Sequence, residues 1–326
     1  YKEAKDGQIL EEGINEAGSM SSFIAAGTAY NTHGINMIPF FIYYSMFGMQ
    51  RVGDLVWAAG DIGAKGFMLG GTAGRTTLNG EGLQHQDGHS HLLAYPVPNL
   101  VTYDPAFAYE LAIIIRDGIK RMYEDQEHIF YYITLMNENY AMPEMPKGAE
   151  AGILNGMYKF HASDKKSLKL KAQLFGSGTI RNEVIKAAKI LEDDYRVACD
   201  VWSVTSYKEL RRDALDAERF NLLNPTAKQK ESYIEKMLAK EDGVFVASSD
   251  YVKALPDSVS KWFPGRLYSL GTDGFGRSET REALRDFFEV DAKHIVFATL
   301  TALFKEGKIQ DKALDKAAKE LGINPN

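Results

Sequence analysis

Apolar positions along this chain follow two rhythms. Through residues 9–30 small and apolar side chains recur densely (Ile14, Ala17, Met20, Phe23, Ala25, Ala26). That spacing suits a helix packed on both sides, with Gly13, Gly18 and Gly27 permitting close approach. After it, short apolar runs alternate with helical stretches. Residues 36–44 form an apolar, aromatic run behind the His33-Gly34 turn and predict a central strand. A helix over 51–64, strands over 66–70 and 100–102, a helix over 106–122 behind Asp104-Pro105 and a strand over 130–135 follow. Alternation of this kind implies a parallel sheet with helices on both faces. Residues 137–148, with Pro143 and Pro146, read as a linker. Beyond it the rhythm resumes: strands over 172–176, 197–204, 244–247 and 266–270, and helices over 179–195, 207–220, around 251–263, and from 278 and 291 onward. The expected class is α/β, as two doubly wound parallel-sheet domains over residues 1–145 and 146–326. Length agrees, since a single core stops growing near roughly 250–300 residues.

Composition narrows the function. Apolar residues make up 45% and charged residues 25%, which excludes disordered and fibrous classes. A net charge of −6 provides no basic field for a phosphate backbone, so no nucleic-acid partner is expected and Lys165-Lys166 reads as solvated surface. The lone Cys199 excludes an intrachain disulfide and fits a reducing compartment. No long uncharged apolar stretch and no cleavable signal pattern appear, so no membrane partner is expected and a cytoplasmic location is the default. The chain opens Tyr1-Lys2-Glu3, without Met, and a fragment of a longer polypeptide is expected.

Chemistry concentrates in two places. Glu16 lies among Ile14, Ala17 and Met20, where a carboxyl must be protonated or hydrogen-bonded to be buried. It reads either as a surface Glu on a helix edge or as a proton shuttle. The glycine-rich segment 71–91 is longer than the about 12–15 residues beyond which a loop is usually functional or disordered, and a functional loop is expected. Glu81, His85, Asp87, His89 and His91 there are metal-capable, but the His-x3-His-x-His spacing matches no zincin pattern, and no metal site is assigned. The glycines of 70–82 match neither the Walker A nor the GxGxxG pattern, which leaves a phosphate cradle poorly supported. Ser278 with Glu282 reads as an N-cap opening a helix.

Three long blocks carry a family resemblance. They are Gly-Gln-Ile-Leu-Glu-Glu-Gly-Ile-Asn-Glu-Ala-Gly over 7–18, Ile-Pro-Phe-Phe-Ile-Tyr-Tyr-Ser-Met-Phe-Gly over 38–48, and the segment from Gly70 to His91 containing Gly-Glu-Gly-Leu-Gln-His. In this order they closely resemble the homodimeric pyruvate dehydrogenase E1 family. The likeness continues through 137–140, 172–178, 201–206 and 271–278, so it covers essentially the whole chain. It implies the C-terminal portion of such an enzyme, in two transketolase-like domains. The activity implied is thiamine-diphosphate-dependent decarboxylation of pyruvate with transfer of the acetyl group to the lipoyl group of an E2 partner. By the resemblance, Glu16 hydrogen-bonds N1′ of the cofactor's aminopyrimidine, Ile14 lies under the bent cofactor, Phe47 stacks on the pyrimidine and Tyr44 sits near its amino group. Glu81 and His85 fall near the thiazolium and the bound 2-oxo acid, while Asp87, His89 and His91 order the loop. Read without the family, the Tyr44 to Phe47 stripe and Ile14 suit ordinary core.

The family's diphosphate is held through Mg²⁺ by a Gly-Asp-Gly segment and a later Asn in an N-terminal domain. Gly-Asp-Gly does not occur here, so the Mg²⁺ ligands are expected outside this chain, and a homodimer is expected to build each site across its interface. Rival readings are a transketolase or 2-oxoglutarate-specific relative, against which the Gly-Glu-Gly-Leu-Gln-His block argues, and a catalytically silent fragment or assembly module.

Overall fold

The computed structural model describes residues 2–324. Two β-sheets organise it. The first holds β1 (Phe40–Tyr44), β2 (Phe67–Gly71), β3 (Leu100–Tyr103) and β4 (Phe130–Thr134) in the order β1-β2-β4-β3, with every pairing parallel. Parallel neighbours require crossovers, and the helices Ser45–Asp61 and Ala108–Ile119 supply two of them. β4 is buried along its whole length, and its side chains alternate between two cores. Phe130 and Tyr132 meet Met20, Phe23, Val52 and Val56 on one face. Tyr131 and Ile133 meet Ile113, Ile114 and Met122 on the other. Helices on both faces are thus what makes every residue of a central strand apolar or hydrogen-bonded.

The second sheet runs β5-β7-β6-β8-β9, from β5 (Met157–His161), β6 (Leu170–Gly176), β7 (Val197–Val204), β8 (Val244–Ser248) and β9 (Leu267–Leu270). β6 to β9 pair in parallel, whereas β5 is antiparallel to β7, with its register shifting between Lys159 and His161. One face packs Leu174, Val201 and Val246 on Val184, Ile295 and Leu303. The opposite face packs Phe175, Trp202 and Phe245 on Leu210, Leu238 and Trp262. Cys199 is buried in the first of these cores, where burial pushes its thiol up. Lys165 and Lys166 are exposed.

Several expectations change. The strand expected to be central, β1, is an edge of its sheet, and Phe40, Ile42 and Tyr44 show one face outward while Phe41 and Tyr43 are buried. The predicted helix over 9–30 begins only at Glu16, because Asn15 caps it by accepting a hydrogen bond from the Gly18 amide at 3.1 Å. Only Met20, Phe23 and Gly27 on it are buried, so it packs on one side. β5 went unpredicted. The helix expected around 251–263 reduces to Ala254–Asp257 and a short turn at Ser260–Trp262. Thr280, not Ser278, caps the helix Arg281–Phe287, its hydroxyl accepting from the Ala283 amide.

Candidate active site

The carboxyl ends of β1 and β2 put the proposed site together, as open parallel sheets do at their strand ends. β1 ends at Tyr44 on the outward face, and the chain turns at once into the helix Ser45–Asp61. One turn on, Phe47 lies beside Tyr44, with ring centroids 5.9 Å apart. One turn further, Arg51 places its guanidinium carbon 4.1 Å from the Phe47 centroid. The segment after β2 then brings His85 edge-on to both rings, 5.7 Å from Tyr44 and 5.4 Å from Phe47. Glu81 arrives on the same segment, and its carboxylate accepts a hydrogen bond from the Tyr44 hydroxyl at 3.3 Å. Burial, and secondarily Glu81, push the Tyr44 phenol up. His85 Nδ1 lies 3.6 Å from Glu81 Oε2, close enough for an ion pair when the ring is protonated but too long for a hydrogen bond.

Glu16 closes the group from the other side. Both of its carboxylate oxygens accept from Arg51 Nη1, at 3.1 and 3.2 Å. The carboxyl is half-buried rather than sunk in apolar surroundings, and it stands in the first turn of its helix, where the amide dipoles favour negative charge. Glu16, Arg51, Phe47, Tyr44, His85 and Glu81 therefore form one contiguous cluster. Ile14 stands apart from it, 96% exposed. Arg51 was not anticipated from sequence. Its only signal was its place one helical turn after Phe47.

The segment between Thr72 and His89 has no strand or helix, and it is fastened by polar side chains to the second sheet's unit. Asp250 is buried and takes four donors from this segment: the Thr76 amide and hydroxyl, each at 2.7 Å, and the Thr77 amide and hydroxyl at 3.0 and 2.5 Å. Arg75 donates to the Thr272 carbonyl, and Arg281 to the Thr77 carbonyl at 2.8 Å. Asp87, also buried, accepts from the His89 amide and from both the amide and hydroxyl of Ser90. His91 is buried against Thr134, 3.0 Å away, and burial pushes its imidazole down to about 4. The amides of Ala73, Arg75, Thr76, Thr77 and Gly80 all donate to protein oxygens, which leaves them no phosphate to cradle.

Among the described residues, Glu81, His85, Asp87, His89 and His91 do not converge as a metal-ligand set. Asp286, Asp291 and His294 are the group whose donor atoms come together. There Asp291 is the N-cap of the helix Ala292–Lys305 and accepts from the His294 amide, so the cluster is a helix start. No helix among the described residues is long and apolar enough to cross a membrane.

The architecture is that of a transketolase-like α/β protein. A transketolase from Campylobacter jejuni superposes with a TM-score of 0.64 at 19% identity, covering 85% of this chain and 38% of that one. A protein described as a split gene transketolase, inactive beta4 tetramer, matches at a TM-score of 0.62 and 17% identity, covering 90% of this chain and 83% of that one. Residues 1–143 match the pyruvate dehydrogenase E1 component middle domain, and residues 156–291 the transketolase-like C-terminal domain. The pyruvate dehydrogenase E1 component of Pseudomonas aeruginosa is 59% identical over the full chain, which spans 37% of that relative. That of Escherichia coli K12 is 53% identical over 99% of this chain and 36% of its own length. This chain belongs to the pyruvate dehydrogenase E1 family, and it spans little more than a third of the length of the relatives it matches.

Proposed function

We propose that this chain supplies the aminopyrimidine side of a thiamine-diphosphate site in an enzyme that decarboxylates pyruvate and passes the acetyl group to the lipoyl group of an E2 partner. The observation that carries the reading is the contiguous cluster of Glu16, Phe47, Tyr44, Glu81 and His85 in a chain more than half identical to E1 components. Its residues fit one half of the cofactor: a carboxylate to meet a ring nitrogen, and flat rings to meet a flat heterocycle. When bound, thiamine diphosphate supplies an acidic thiazolium carbon that serves as nucleophile and electron sink.

Glu16 holds the proton at N1′ of the aminopyrimidine, and so tunes the basicity of the opposite amino nitrogen. Arg51 now covers both Glu16 and the Phe47 ring, and it is half-exposed, so the pair costs only about 1 kcal/mol or less to open. Phe47 then faces the pyrimidine, and Tyr44 takes the neighbourhood of its amino group. His85 would orient or protonate the substrate-derived group, while Glu81, 3.6 Å from its ring, holds Tyr44 and the charge balance of the site. Ile14 is the apolar support beneath the cofactor, and its exposure here matches a ligand seated mainly on another subunit. We infer further that the active species is a homodimer in the cytoplasm, with the ligands of Mg²⁺ and the diphosphate outside this chain.

The reading is tested by 2-oxo-acid-driven reduction of an artificial electron acceptor with thiamine diphosphate and Mg²⁺. Turnover is expected with pyruvate and not with 2-oxoglutarate. Glu16→Ala should lower kcat by about 100-fold or more, as loss of an acid–base group does. Turnover with 2-oxoglutarate alone would refute the substrate, and no turnover by the full-length protein would favour a silent assembly module.

A further inference from the structure

His85 and Glu81 stand on a segment with no regular structure of its own, so side chains must hold it in register. Next to His85 is Gln86, whose side chain is wholly buried. Its Nε2 donates to the Leu78 carbonyl at 2.6 Å, which closes the segment on itself. Its Oε1 accepts from the Arg277 amide at 2.7 Å, which fastens it to the glycine-rich stretch of the second unit. Gly276 makes the approach possible, because a Cβ there would lie 2.5 Å from Gln86 Oε1. The amides of His85 and Gln86 both donate to the Gly82 carbonyl, at 3.1 and 3.3 Å, so Gln86 terminates the turn that carries the imidazole. Beside this clamp the Gly80 amide donates to the Glu279 carbonyl at 3.0 Å.

A primary amide is the side chain this position needs. It must donate and accept at once, and the bond to Leu78 is buried while the one from Arg277 is partly so, so losing the amide leaves the Leu78 carbonyl without water to fall back on. Glu keeps only the acceptor and sets a charge against the Leu78 carbonyl. Met keeps the shape and loses both bonds.

We propose that Gln86 is a positioning residue of the reaction, holding His85 and Glu81 against Tyr44 and Phe47 by clamping their segment to Gly276 and Arg277 of the second unit. Catalytic geometry then depends on the docking of the two units. The proposal rests on the functional reading above for the roles of His85 and Glu81.

The test uses the full-length enzyme with thiamine diphosphate and Mg²⁺, and the variants Gln86→Met, Gln86→Glu, Gly276→Ala and Gln86→Met with Gly276→Ala. Each single change should lower kcat for pyruvate by about 10- to 100-fold, the scale of a misplacement near 1 Å, while KM and cofactor affinity stay close to those of the parent. Gly276→Ala displaces the same amide from the other side, so the double variant should be little worse than either single one. Amide hydrogen exchange should accelerate over residues 79–89 and remain unchanged in the strands. Retained kcat, additive losses, or unchanged exchange over 79–89 would each overturn the proposal. So would faster exchange throughout the molecule, which marks a merely structural role. A parent enzyme without pyruvate turnover sinks the functional reading instead, and the exchange measurement still decides whether Gln86 holds the segment.

Discussion

Asp104 and His91 share one buried hydrogen-bond chain, with Thr134 donating to Asp104 at 2.7 Å and lying 3.0 Å from His91. Burial drives their titrations in opposite directions. It pushes the Asp104 carboxyl up from 3.8 to about 7, against the hydrogen bonds from Thr134 and Ser177 that favour its charged form. It pushes His91 down to about 4, with Asp87 opposing. Between pH 4 and 7 the unfolded Asp is ionised and the folded one is not, so the unfolded state binds fewer protons and stability falls as pH rises. His91 acts oppositely: its contribution is full above pH 6.5 and is lost as pH falls toward 4. Asp104→Asn should therefore unmask the His91 slope. Urea denaturation across this range is expected to show a flat or shallow profile in the parent and stability increasing with pH in the variant. The raised Asp104 carboxyl contributes up to about 4 kcal/mol to this pH dependence. An identical pH profile in both proteins would exclude it. None of this was legible in sequence, where Asp104 is only the residue before a proline.

Among the elements, the segment from Thr72 to His89 gains its shape from a carboxylate distant along the chain. Gly74, at φ +90°, is the point of closest approach, where a Cβ would lie 2.2 Å from Asp250 Oδ2. Gly74→Ala should destabilise the fold by about 2–4 kcal/mol, from left-handed strain plus overpacking. Asp250→Ala should cost about 3 kcal/mol or more, because four donors lose their acceptor in a place without water. Chemical denaturation measures both, and a change under 1 kcal/mol in either would show that the segment is held from elsewhere. The segment was marked in advance as functional by its glycines and its length. Its partner was not, since a contact between residues 76 and 250 leaves no trace in local pattern. β5 was missed although Asn155-Gly156 offers a turn before it: the five-residue run Met-Tyr-Lys-Phe-His is too short to announce itself, and it becomes a strand because β7 offers an edge.

For the molecule as a whole, β1 and the segment before Glu16 expose large apolar side chains. Leu10, Ile14 and Ile42 are 74, 96 and 70% exposed, and β1 presents its outer face with no strand beyond it among the described residues. If that surface is the one on which a second subunit completes the site, Ile42→Lys should shift sedimentation of the full-length protein from dimer to monomer. Activity would be lost with the dimer, while the monomer keeps its fold. A dimer that persists in this variant would place the interface elsewhere.

What the sequence determined by itself was whatever depends on near neighbours along the chain. Hydrophobic periodicity set out the α/β alternation, and the blocks around Glu16, Tyr44 and Glu81 carried the family and the candidate residues. Tertiary structure decided the rest, because it depends on distance in space. It made β1 an edge, brought Arg51 over Phe47 and onto Glu16, aimed His85 between two rings, and tied its loop to Asp250, Thr272 and Arg277. Burial and hydrogen bonding act through space on groups far apart in the chain, and so the forces that organise this site become visible only once the two sheets stand side by side.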